Sequence, residues 1–115
     1  MSIDLQSRTP LARRHKRYIV SGSVVFRSSE GTTCGQLLNI AKGGLLAQTE
    51  AIHPWKAKLS LLFDVTGYPE RFPIWGQVVR IDGSLLTINF LEEPEAIEYL
   101  LNWLELRHCA WSGVE

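Results

Sequence analysis

The chain has no long hydrophobic run, and it is poor in cysteine. Its densest apolar stretch, Leu59-Ser60-Leu61-Leu62-Phe63, has the length of a strand and falls far short of the ~18 residues a spanning helix needs, so no membrane insertion is expected. The amino-terminal segment MSIDLQSRTPLARRHKR lacks the apolar centre of a secretory leader, which gives a cytoplasmic expectation. Cys34 and Cys109 share no short spacing with each other or with a histidine cluster. That argues against a disulfide framework and for two free, idle thiols. His15, His53 and His108 are scattered, so no metal site is expected. Also missing are G-x-S-x-G, a glycine-rich phosphate loop behind a strand, and H-E-x-x-H. Glu92, Glu93, Glu95 and Glu98 read as a solvated acidic helix start and not as an acid–base pair. The chain is therefore read as a non-enzyme without a cofactor.

What is present is an ordinary domain composition: 115 residues, 45% hydrophobic and 21% charged. That length suits one domain with its own core. The formal net charge of zero hides an asymmetry. Residues 1–60 hold nine of the 12 Lys/Arg and three of the 12 Asp/Glu, so the first half is basic and the second acidic. Arg13, Arg14, Lys16 and Arg17 fall within five residues, a density that attracts anions. The acidic second half counts against coating a nucleic acid polymer, and none is expected as a partner.

Along the chain, residues 1–12 are polar, lack periodicity and read as a flexible arm. Tyr18 to Phe26, rich in β-branched and aromatic residues, reads as a strand, and Thr32 to Ile40 as a second, joined by the turn Ser28-Ser29-Glu30-Gly31. Ala41-Lys42-Gly43-Gly44 interrupts before a short strand from Leu45 to Thr49. Alternation from Lys56 to Asp64 gives a fourth strand, and Arg71 to Ile81 a fifth. Asp82-Gly83 signals a hairpin into a sixth, in which Leu86, Ile88 and Phe90 share a face. From Pro94 the period changes. Ile97, Leu100, Leu101 and Leu104 mark a helix, with Arg107 and His108 suited to its C-terminal end. A second stripe, Tyr99, Trp103 and Leu106, is expected to pack on the sheet, as are most of the tryptophans Trp55, Trp75, Trp103 and Trp111. The expected fold is all-β: a small six-stranded antiparallel, Greek-key-like barrel with a C-terminal helix. The expected boundaries are an arm at 1–12, the domain at 13–108 and a tail at 109–115.

Arg13 and Arg17 stand four apart, and in an extended segment such residues point to the same side. Guanidinium groups are planar, permanently charged and fork-shaped, so they stack on purines and grip guanine edges or phosphates. Some twenty residues on, Asn39-Ile40-Ala41-Lys42-Gly43-Gly44 gives N-x-A-x-x-G at a strand end. This pairing of R-x-x-x-R with N-x-A-x-x-G resembles the PilZ domain family, whose marks are R-x-x-x-R and [D/N]-x-S-x-x-G on a six-stranded barrel. Arg13-Arg14-His15-Lys16-Arg17-Tyr18, Ile40-Ala41-Lys42-Gly43-Gly44-Leu45 and Gly76-Gln77-Val78-Val79 match further stretches of the family pattern, and Thr87-Ile88-Asn89-Phe90 does so loosely.

The resemblance implies a receptor for the bacterial second messenger cyclic di-GMP. By that analogy Arg13, Arg14 and Arg17 hold guanine faces and phosphates, and Asn39 bonds a guanine edge. Gly44 lets the turn backbone approach the ligand, and Lys42 is a candidate phosphate partner. Ala41 departs from the family's serine and removes a hydroxyl, so binding is expected to be retained but weakened. With no output domain in the sequence, the expected action is in trans on a partner protein, as a signalling adaptor whose arm folds onto the barrel when ligand binds. The alternative reading is a PilZ-like interaction module that no longer binds the nucleotide.

Overall fold

The alternation read in the sequence becomes the inner and outer faces of a closed sheet. The computed structural model describes residues 16–114. The strands are β1 (Tyr18–Ile19), β2 (Gly22–Ser28), β3 (Gly31–Ala41), β4 (Gly44–Gln48), β5 (Lys58–Val65), β6 (Pro73–Asp82) and β7 (Leu85–Phe90). Among the described residues there is one helix, α1, spanning Glu95–Val114. In β5, Leu59, Leu61, Phe63 and Val65 face inward, while the residues between them face out.

All pairings are antiparallel, and β2, β3, β4, β7, β6 and β5 form a ring that closes from β5 back to β2. β2, β3 and β4 are consecutive neighbours, and β5 crosses over to lie beside β2, which is Greek-key connectivity. Closure leaves these six strands no open edge. The first expected strand is interrupted. Tyr18 pairs with Ile40 and Ile19 with Asn39, but from Ser23, which pairs with Gln36, the register against β3 has slipped by one residue. The slip separates β1 from β2. The hairpin expected at Asp82-Gly83 turns one residue later, through Gly83 and Ser84, with Gly83 supplying the positive φ of 63°.

Val24, Phe26, Leu37, Ile40, Ile74, Val78 and Ile88 fill the barrel, and Ile97, Leu100 and Leu104 of α1 join the same cluster. These three helix positions recur at helical spacing, so one face of α1 is buried. The helix continues beyond Arg107 and His108 through 109–114, the stretch expected as a tail, because no helix-breaking residue intervenes before Gly113. Of the second stripe, only Trp103 packs, with its ring 5.1 Å from Tyr68, while Tyr99 and Leu106 are exposed. Trp55 and Trp75 are exposed as well, against the expectation of rim packing. Cys34 is a free, exposed thiol on the outer wall.

Candidate functional site

Two irregularities in the barrel wall decide which polar side chains face out together. In β3, Leu37 pairs with Ala47 and Asn39 with Leu46, so Leu38 is an extra residue. In β6, Val78 pairs with Ile88 and Arg80 with Thr87, so Val79 is extra. A bulge of this kind reverses the in–out alternation beyond it. Were the alternation unbroken through Leu38 and Val79, Asn39 and Arg80, each two residues on, would share the inward parity of Leu37 and Val78. With the bulges, both stand on the outer face. The β6 bulge is braced by the turn that leads into β5: the Trp55 indole N–H donates to the Val79 carbonyl at 3.2 Å, and the Lys56 N–H to the Val78 carbonyl at 2.8 Å.

The outward residues then fall into two rows across four strands. One row runs Asn39, Leu46, Thr87, Arg80 over β3, β4, β7 and β6. The next runs Ala41, Gly44, Asn89, Gln77 over the same strands. Arg17 immediately precedes the Tyr18–Ile40 pair and so extends the second row beyond Ala41. Between Arg17 and Arg80 lie four strand spacings, about 19 Å along the wall. The surface between them is an open groove of ≈ 530 Å³ that both arginines line. Along the second row the floor carries only a methyl group and a hydrogen at Ala41 and Gly44.

The Arg17 end is fixed from both sides. Lys16 Nζ lies 3.1 Å from a Glu105 carboxylate oxygen, and the Tyr18 hydroxyl donates to the same carboxylate. A residue of α1 thereby holds both neighbours of Arg17.

Of the residues singled out in the sequence, Arg17, Asn39, Ala41 and Gly44 come together on this groove. Arg13 and Arg14 lie outside the described residues. Lys42 is exposed on the β3–β4 turn and is not among the lining residues. Gly44 also meets β7 closely: a Cβ there would lie 2.2 Å from the Ile88 carbonyl oxygen. Its lack of a side chain is therefore required by strand packing. Sequence reasoning missed Arg80, Thr87 and Asn89 as site residues. The available signal was the hairpin at Asp82-Gly83, which folds the Arg80 strand back against Thr87 and Asn89. Among the described residues there is no His/Cys/Asp/Glu group able to hold a metal ion. His53 makes a 3.0 Å contact with the Thr33 hydroxyl, away from the groove.

A family model for the PilZ domain matches residues 12–105. The chain belongs to the PilZ family. No curated protein matches it in sequence. Among solved structures, this PilZ chain is similar in fold to the Bacillus subtilis inhibitor of motility MotI/DgrA, with TM-score 0.70 and 17% identity over 85% of this chain and 52% of that one. It is similar also to the PilZ domain of Escherichia coli YcgR with c-di-GMP, with TM-score 0.65 and 18% identity over 89% of this chain and 96% of that one. The longer YcgR chain in complex with c-di-GMP gives TM-score 0.73 and 18% identity, with 89% and 49% covered. The chain thus spans about half the length of MotI/DgrA and of the longer YcgR chain. No helix among the described residues is long and apolar enough to cross a membrane.

Proposed function

We propose that this PilZ chain binds cyclic di-GMP on the groove and acts, without catalysis, as a cytoplasmic signalling adaptor for a partner protein. The observation that carries the reading is the meeting of Arg17 with Asn39, Ala41 and Gly44 on one wall, which joins the two family motifs at a single site. The chemistry fits the ligand: two phosphodiester charges and two guanine faces suit guanidinium groups, and a carboxamide suits a guanine edge. Arg13 and Arg14 approach the same ligand from the chain leading into β1. The E. coli YcgR structures named for their c-di-GMP complex share this fold.

Binding draws residues 13–17 against the outer wall and changes the surface a partner meets. Equilibrium dialysis against labelled cyclic di-GMP tests the site, with uptake by the native chain and loss in Arg13→Ala and Asn39→Ala as the expected result. Equal uptake by all three would refute it. Limited proteolysis near Arg13–Arg17 tests the ordering step, with cleavage slowed by saturating ligand.

A second reading, an interaction module without the nucleotide, is favoured by two observations. Ala41 offers the ligand no hydroxyl, and Trp55, Trp75, Tyr99 and Leu106 are exposed. It predicts no uptake by the native chain.

A further inference from the structure

The two rows on the groove floor carry a repeat that the family motifs do not describe. Let the centre be the point on β4 between Leu46 and Gly44. Half a turn about that point carries the position of Asn39, one strand to one side in the first row, onto Asn89, one strand to the other side in the second. The same half-turn carries Arg17, beyond β3, onto Arg80, beyond β7. An arginine and an asparagine thus stand at each end of the groove in two-fold related positions. The relation holds for side-chain positions on the sheet and not for chain direction. All four line the groove, and it is the two bulges that bring Asn39 and Arg80 to the outer face.

The proposed ligand has the matching symmetry. Cyclic di-GMP is two guanosine monophosphates joined head to tail, with each half offering one guanine and one phosphate charge. Resting on the reading given under Proposed function, we infer that Arg80 and Asn89 form a second half-site, equivalent to Arg17 and Asn39, that holds the other half of the ligand. Each arginine fork addresses a guanine O6/N7 edge or the adjacent phosphate, and each carboxamide adds a neutral hydrogen bond. Ala41 has Thr87 as its two-fold mate, so a hydroxyl remains on the Arg80 side where the Arg17 side has lost one.

The test is calorimetric titration of the full chain with cyclic di-GMP and with cyclic GMP–AMP, the hybrid that keeps one guanine. Arg80, Asn89 and Lys58 are exposed, so their alanine variants should melt like the native chain. Arg80→Ala and Asn89→Ala should each weaken cyclic di-GMP binding about tenfold, whereas Lys58→Ala, a cation outside the groove, should change it little. The native chain should prefer cyclic di-GMP over the hybrid. In Arg80→Ala the two should bind alike, because adenine can occupy the broken half. Native-like affinity in both groove variants overturns the second half-site. A weakened Arg80→Ala that keeps the native preference also overturns it, since Arg80 is then only a charge. Absence of binding by the native chain overturns this inference together with the reading beneath it.

Discussion

Gly44 lies so close to Ile88 of the neighbouring strand that a Cβ on it would sit 2.2 Å from the Ile88 carbonyl oxygen. Backbone atoms on both sides fix that approach, and the Phe90 N–H donates to the Gly43 carbonyl at 2.8 Å beside it. Gly44→Ala must therefore push β4 from β7 and lower stability by about 1–3 kcal/mol. Urea unfolding reads this directly. A native midpoint would show that the close approach is not required.

Glu105 accepts from both Lys16 and Tyr18, the two neighbours of Arg17. The Lys16–Glu105 pair is largely solvent-exposed, so its own contribution to stability is small, about 1 kcal/mol or less. Its larger effect is on position. Glu105→Ala should leave unfolding nearly unchanged and weaken cyclic di-GMP binding by releasing the segment that carries Arg17. Native affinity in this variant would separate α1 from the site.

His53 gives the stability a pH dependence. Burial of the imidazole, packed on the core ring of Phe26, holds its pKa below the usual 6.5. The unfolded chain therefore takes up the proton at a higher pH than the folded one. This contribution is complete above about pH 6.5 and is lost as pH falls below that value towards the lowered folded pKa. Urea midpoints should drop between pH 7.5 and pH 5.5 in the native chain and drop less in His53→Gln. Equal drops would assign the effect to other groups.

The barrel and helix were legible because burial imposes period 2 on strands such as β5 and helical spacing on Ile97, Leu100 and Leu104. Part of the candidate groove was legible too, since its lining residues Arg17, Asn39, Ala41 and Gly44 sit in two short motifs. Arg80 and Asn89 were not, for a physical reason. A bulge adds one residue with no fixed sequence mark, and Val78-Val79-Arg80 reads as uninterrupted alternation unless the partner strand is known. The break between β1 and β2 escaped for the same reason, because a register slip belongs to a pair of strands and not to either alone. The exposure of Tyr99 and Leu106 was hidden because a helical stripe does not say which part of its length the barrel covers.

Ala41 is the site's departure from the family pattern, and it faces the groove beside Arg17. A hydroxyl restored there has room, because the neighbouring row position is Gly44. Ala41→Ser should tighten cyclic di-GMP binding by up to about tenfold, the value of one hydrogen bond. Competition against a labelled ligand measures it, and an unchanged affinity would remove position 41 from the contact surface.

The most direct test of the central claim is isothermal titration of the native chain with cyclic di-GMP at physiological salt, with Arg17→Ala beside it. Saturable binding, lost in the variant at unchanged melting temperature, is the predicted result. No heat from the native chain, or equal binding by both proteins, would contradict a nucleotide site on this groove.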